Sequence, residues 1–566
     1  MKTLIKHEED NEPYKGIIGK APLKTELHVG KQVFNALLDP ALKAEWDLLY
    51  EACTWCTVFQ SRVFVETWYK VFREEYLPIL VTATHEGHLV GVLAMALPRY
   101  CVDEHESLLK PGKIVGAGQY DAEYQCWLSG AAYGEDFIKA ALASIIHKFR
   151  GCDIHFRYLP PALPLNWAEA DPYWRNKVVL QAVRRPLMAM GSPEFPKLFK
   201  KPEFKNKVNR LRRLGNLSFE VVTDKSYFEE ILPELVIQYD FRQGAMFNKN
   251  QFSDNPLKTE FLLAIFEKKL LHVSVLKVNE EVMAAIVAVA GKGWVHLGGI
   301  NTHAPYQANY YSPGFVHFIM LGKLLAESGV EVFDLTPGGD AYKERLATDH
   351  DQVYEMVIPG STVSGAKRRI RKHLYNRLVQ AGKRPMSVEL AIRKKAYLFK
   401  ARLKSVINPH TAFSTLFRLR ASHSPDEKPS VGIPAELRYA DGSIHVQEND
   451  LKHLLAYRPT KHDLTRWEFL EAAMRSLETG KCCYTWCEDG QLQACAWLGS
   501  SETVPLKPAL PKGSAVLELT YYCKAVKRML PAFLTEAARL VRQQRGTPVY
   551  FVDNGHGTIY LDNVSN

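Results

Sequence analysis

The sequence predicts an α+β fold of mixed sheets, built as three units of one plan, and three observations carry that prediction. Helix, hairpin, strand, helix and strand recur in this order three times along the 566 residues. The stretch PILVTATHEGHLVGVLAMAL, residues 78–97, is a strong hairpin signal, with two β-rich apolar runs flanking Glu86-Gly87. Apolar residues make up 46% of the chain, enough to bury several cores, yet no run of 18 uncharged apolar residues occurs. A membrane-crossing helix is therefore not expected.

The elements follow in order. Residues 1–30 lack sustained periodicity and read as a mobile leader, too acidic and polar at MKTLIKHEEDNEPYKG for a signal peptide. The first unit, 31–200, has helices over 43–52 and 62–72, the hairpin, a strand near 124–128, a helix over 135–149 and a strand over 153–158. The second, 201–362, has a basic helix over 204–214, a strand over 217–222, and helices over 227–243 and 256–268. Its hairpin, over 271–290, precedes the strand GWVHLGGIN (293–301), a helix over 315–327 and the strand VEVFDL (330–335). A basic helical connector, 363–432, ends in a loop with Pro425, Pro429 and Pro434. The third unit, 433–566, has helices over 464–477 and 530–544, the hairpin KCCYTWCEDGQLQACAWLG, and strands over 515–522 and 548–552.

Charge is localised. Residues 365–420 hold sixteen Lys or Arg and one acid, Glu389, so a chain of net charge +10 is net negative elsewhere. Around AKRRIRKHLYNRL and AIRKKAYLFKARLKSVI, Leu390, Tyr397, Leu398 and Leu403 can share an apolar helix side flanked by cations. That pattern suits peripheral contact with an anionic membrane, or a connector packed on its neighbours; RNA is the weaker option, because the cations lie in no recognised RNA-binding motif. Ten cysteines lie in apolar surroundings without metal-ligand spacing, as in a cytosolic protein with reduced thiols. Cys53-Thr-Trp-Cys56 reads as a helical turn of core cysteines before a redox or zinc half-site, and no metal is expected.

The segment from Asn309 to Ala347 concentrates the chemistry. Ser312 is a preferred N-cap, Pro313 suits the first helical turn and Gly314 lets a ligand approach the backbone. Free N–H groups and a positive dipole end there suit a pyrophosphate or carboxylate. Beyond the strand VEVFDL, a glycine-rich turn presents Asp340, Tyr342 and Lys343.

Residues 45–360 resemble the GNAT-superfamily acetyltransferases of CelD type, from exopolysaccharide or cellulose biosynthesis, which are similar to Fem-type peptidyltransferases. The motifs are Phe59-Gln60-Ser61 before a helix with Trp68, the hairpin over 87–91, KVNRLRRLG, Tyr311-Ser312-Pro313-Gly314, and Asp334 followed by Gly339-Asp340-Ala341-Tyr342-Lys343. The resemblance implies tandem GNAT-like units, two well marked and a third degenerate. It implies an acyltransferase moving an acyl group from acetyl-CoA or another acyl-CoA to an amine or hydroxyl of a sugar or peptide envelope precursor. A Fem-like use of aminoacyl-tRNA and a non-enzymatic membrane- or partner-binding module are the alternatives. The R/Q-x-x-G-x-G/A phosphate loop of ordinary members is missing from all three units.

Acyl transfer needs a base, oxyanion stabilisation and an acid for the leaving group. The resemblance gives Lys343 the oxyanion contact. Asp340 or Asp334 is the candidate base, Tyr342 or Tyr311 the candidate acid, and Tyr311 to Gly314 the coenzyme contact. The structural alternatives are Asp340 as a turn cap, Lys343 as a solvated partner of Glu344 or Asp349, and Tyr311 as a core ring. Arg210, Arg212 and Arg213 face either an anionic substrate or solvent.

Overall fold

The computed structural model describes residues 23–406, 430–431, 444–460, 463–500, 514–547, 549–553 and 558–561. Thirteen strands of the first two units form one mixed sheet. They are β1 (Lys24–Val29), β2 (Tyr76–His85), β3 (His88–Pro98), β4 (Lys113–Gly116), β5 (Leu128–Ser129), β6 (Asp153–Leu159) and β7 (Val179–Ala189). The others are β8 (Leu217–Val222), β9 (Leu271–Val278), β10 (Glu281–Gly291), β11 (Trp294–His303), β12 (Val332–Asp334) and β13 (Asp349–Ile358). Their order is β1-β2-β3-β4-β6-β13-β7-β12-β11-β10-β9-β8, with β5 beside β3.

Local chemistry accounts for the elements. The β2–β3 turn places Glu86 and Gly87 at positive φ, the backbone a tight hairpin needs. Asp39 accepts from Ala41 N at 2.9 Å and Asp224 from Tyr227 N at 2.7 Å, capping the helices Pro40–Ala52 and Lys225–Phe247. The first unit's core is aromatic, with Trp46, Phe59, Phe64, Trp68 and Trp127 buried. In the second, the helix Pro313–Glu327 packs Phe318, Ile319, Leu321 and Leu325 on Phe333 and Val295 of the sheet.

The sheet order crosses the expected boundary near residue 200. β13 comes last in the second unit yet pairs antiparallel with β6 of the first, and β7 of the first pairs with β12 of the second. The two units therefore exchange strands at their junction. The leader also ends earlier than expected: residues 24–29 are an edge strand paired with β2, and residues 1–22 lie outside the described range.

The third unit has its own sheet of seven strands, with Ala515–Tyr522 at its centre and the expected hairpin Cys482–Glu488 and Gln491–Ser500 beside it. Its helix Arg466–Glu478 begins with a capping box between Thr465 and Glu468 and packs against Lys225–Phe247. The basic connector forms two helices, Thr362–Gln380 and Pro385–Val406; most of its expected terminal loop lies outside the described residues. The helical face read from sequence is turned inward at Leu390, Tyr397 and Leu398, with Tyr397 5.6 Å from the Trp467 ring, while Leu403 is exposed. All ten cysteines are free and eight are buried. Cys53 and Cys56 follow the helix Pro40–Ala52 rather than forming a turn of it, and no metal-holding cluster occurs among the described residues.

Candidate active site

β11 and β12 run parallel only where Trp294, Val295 and His296 face Val332, Phe333 and Asp334. Beyond that point β12 ends, β11 continues to His303, and the two chains part. The last paired residues are His296 and Asp334, so the fork closes on two polar side chains inside an apolar sheet.

Asp334 is fully buried at this point and carries three contacts. His296 Nδ1 lies 2.8 Å from Oδ2, Thr336 N donates to Oδ1 at 2.8 Å, and Arg185 Nη1 stands 3.7 Å away. Burial by itself pushes the carboxyl pKa up, but the bond from His296 and the Arg185 charge outweigh it, so the net shift is downward and Asp334 stays ionised. Arg185, on β7, donates from Nε to Asp351 of β13 at 2.7 Å and lies over the rings of Tyr124 and Trp294. The first unit completes the wall: Phe59 and Tyr124 each sit 5.3 Å from the His296 ring, and Tyr124 is buried. With Nδ1 engaged by Asp334, Nε2 is the imidazole atom left for proton transfer.

Lys343 stands next to this pair. It is only 6% exposed, and its Nζ donates to Thr336 O at 3.1 Å and Thr336 Oγ1 at 2.8 Å. Burial holds its pKa down, opposed by Asp340, Glu123 and Asp334. The expected solvated pairing with Glu344 or Asp349 is therefore corrected: the carboxylate nearest its amine is Asp340, at 3.9 Å. Glu123, buried in the first unit, faces the same cluster and pairs with Arg157 at 3.1 Å.

The other expected residues have separate partners. Asp340 occupies the N-cap of the helix Ala341–Leu346 without bonding it, and binds Arg384 at 2.6 Å; Arg384 also donates to Gly338 O at 2.8 Å. An occupied salt bridge makes Asp340 a tie for the turn rather than a ready base. The Tyr342 hydroxyl accepts from Asn301 Nδ2 at 3.3 Å, and burial pushes its pKa up to about 12, so it keeps its proton at neutral pH. Tyr311 packs partly buried, edge-to-face on Tyr310, as a core ring does.

Ser312 does not cap its helix in the expected way. It adopts a left-handed conformation, makes no side-chain cap bond, and its Oγ accepts from Lys207 at 2.6 Å. Its amide bonds Ala308 O, Pro313 has no N–H and the Val316 amide donates to Ser312 O, so the free amides of the helix start are those of Gly314 and Phe315. Cations gather here: Arg210 donates to Tyr310 O at 3.1 Å beside Lys207, so part of KVNRLRRLG docks against the segment rather than facing solvent. His303 stands against Gly314, where an added Cβ would come within 3.2 Å of its ring, and burial with Arg242 holds its pKa down to about 3. A helix start with free amides and two cations fits a phosphate-bearing ligand.

His296, Arg185, Tyr124, Glu123 and Lys207 were not singled out from sequence. The one legible signal was His296, a lone ionisable residue in the apolar run GWVHLGGIN, in parallel register with Asp334. A cavity of about 440 Å³ lies away from these residues, between Asn250 and Ser253 of the second unit and Tyr457 and Arg466 of the third.

Residues 200–344 match the Acetyltransferase (GNAT) domain family. Solved structures similar to the chain include FemX, at 10% identity over 56% of this chain and 96% of that one, with a TM-score of 0.39. L-PGS from Bacillus licheniformis is similar at 11% identity over 55% and 96%, with a TM-score of 0.34. A tandem GNAT protein from the clavulanic acid biosynthesis pathway is similar at 10% identity over 60% and 99%, with a TM-score of 0.32. No curated protein matches significantly. Residues 200–344 of the second unit therefore carry a GNAT-type acetyltransferase domain.

Proposed function

We propose that the protein transfers an acyl group from an acyl-CoA, with acetyl-CoA the simplest, to an amine or hydroxyl of a sugar or peptide precursor. The observation that carries this reading is the buried His296–Asp334 pair at the fork of β11 and β12, inside the segment that matches the acetyltransferase family. The co-substrate supplies a thioester, and the free amides of Gly314 and Phe315 with Lys207 and Arg210 would hold its phosphates.

In this reading His296 Nε2 takes the proton of the acceptor N–H or O–H as the acceptor attacks the thioester carbonyl, and Asp334 stabilises the imidazolium. Asp334 is thus an orienting group, since its own oxygens are occupied by Thr336, His296 and Arg185. Lys343 stabilises the oxyanion, and Tyr342, protonated at neutral pH, returns a proton to the departing sulfur. His296 and Lys343 are both covered in this structure. The reading therefore requires the turn from Thr336 to Asp340 to move, with the Arg384–Asp340 bridge as its latch.

The cationic helices favour a second reading, in which an aminoacyl-tRNA is the donor and its phosphates bind residues 362–406. The deciding experiment offers the full chain acyl-CoA or aminoacyl-tRNA with amine acceptors, beside His296→Gln. Thiol release that the substitution lowers about 10²-fold or more supports the first reading; turnover from charged tRNA alone overturns it in favour of the second.

A further inference from the structure

We propose that the helices Thr362–Gln380 and Pro385–Val406 form a docking surface for an anionic lipid bilayer, with two outward-facing apolar stripes as its contact. Eight of the eighteen exposed large apolar side chains among the described residues fall within these two helices. On the first helix they include Val363, Ile370 and Leu374; on the second, Ile392, Phe399 and Leu403. Both sets have the same spacing, with the second residue seven and the third eleven positions beyond the first. At about 100° per residue such positions lie within about 40° of one another, so each set is one continuous stripe.

The inner faces explain why the stripes point outward. Ser364 binds Asp153 at 2.7 Å and Arg369 donates to Asn176 O, which anchors the first helix on the first unit. Lys394 binds Glu471 at 2.6 Å, Arg393 donates to Phe247 O at 3.2 Å and Tyr397 packs against Trp467, anchoring the second helix on the second and third units. These contacts occupy one side of each helix and leave the stripe on the other.

Charge selects the occupant. Lys367, Lys372, Arg377, Lys383, Lys395 and Lys400 form no ion pair among the described residues, and the one acid of the two helices, Glu389, is already paired with Arg371 at 2.7 Å. Like charge on both copies opposes self-association through this face. A nucleic-acid backbone would engage the cations and leave the isoleucines and leucines in water. A bilayer with anionic headgroups takes both features, apolar side chains at the acyl boundary and cations at the phosphates. No described helix is long and apolar enough to cross a membrane, so the contact is peripheral.

The test is sedimentation of the full chain with vesicles of phosphatidylcholine alone or with one third phosphatidylglycerol, for wild type, Ile370→Ser/Leu374→Ser, Ile392→Ser/Phe399→Ser and Lys395→Gln/Lys400→Gln. No acyl donor enters, so the outcome is independent of the catalytic reading. The expected result is binding to anionic vesicles at least about tenfold tighter than to neutral ones, weakened about fivefold or more by each apolar pair and by the lysine pair. Since the replaced residues are exposed, unchanged thermal unfolding shows that the loss is not misfolding. The proposal is overturned if anionic vesicles do not bind, or if both apolar pairs bind as wild type does, which would make the surface purely electrostatic and suited to RNA. It is overturned equally if wild type forms a dimer that the apolar substitutions dissociate, which would make a second copy the occupant.

Discussion

Asp334→Asn tests the centre of the site with the smallest change of shape. Asn keeps an oxygen for the Thr336 amide, which donates at 2.8 Å in the native site. Its NH2 then faces His296 Nδ1, 2.8 Å from the native oxygen, and that nitrogen must become the unprotonated one. The proton moves to Nε2, the atom required as base. A general base lost in this way lowers turnover by about 10²–10⁴-fold, roughly 3–5 kcal/mol in the barrier. Folding loses less. Removing one partner of a buried pair costs about 3–5 kcal/mol, but Arg185 keeps Asp351, so about 2–3 kcal/mol is expected. The sign with pH follows from the depressed carboxyl: the stabilisation is complete above about pH 4, the unfolded value, and disappears as pH falls through the native value. Urea unfolding at neutral pH and thiol release from acyl-CoA check both halves. An Asp334→Asn protein within about 0.5 kcal/mol of wild type in stability and equal in turnover refutes the reasoning.

Three further outcomes are expected. Lys343→Met keeps the buried volume but removes the charge at the oxyanion, so single-turnover rates should fall about 10²-fold with acyl-CoA affinity unchanged. Lys207→Ala with Arg210→Ala should raise KM for acyl-CoA about tenfold and flatten its dependence on salt, leaving kcat near wild type. His303 and His317 are held down to about 3 from 6.5, so the unfolded chain binds more protons than the native one between those values. Stability should therefore rise as pH rises from 5 to 6.5, and His317→Asn should flatten that slope in urea unfolding.

Where side-chain pattern and neighbour geometry agree, the sequence is readable. The strand Leu217–Val222 falls where the sequence places it, on Leu217, Phe219, Val221 and Val222, and the Pro313 helix ends at Glu327 before Gly329, as its stop signal implies. β7 and β13 were missed for a physical reason: Arg184, Arg185 and Pro186 break the apolar run of one, and Asp349, His350 and Asp351 open the other with charge. Those charges belong to the site, since Arg185 bridges Asp351 and Asp334 across the strand exchange. No local pattern reports such a bridge between residues far apart in sequence. Lys343 and Asp334 can be named together from sequence because both lie within one segment. Their partners His296, Arg185 and Tyr124 come from three other strands and loops. Ser312 misled because an N-cap residue type says nothing of the φ its neighbours impose, and here Lys207 claims the hydroxyl. On the connector, apolar residues lie on both helix faces, so only the anchors at Trp467, Glu471 and Asp153 tell inner from outer.

Titration calorimetry of the full chain against acetyl-CoA tests the acyltransferase account most directly. Micromolar binding, weakened about tenfold by Lys207→Ala with Arg210→Ala and unaffected by His296→Gln, is the predicted result. No heat with acetyl-CoA or with any longer acyl-CoA would contradict it.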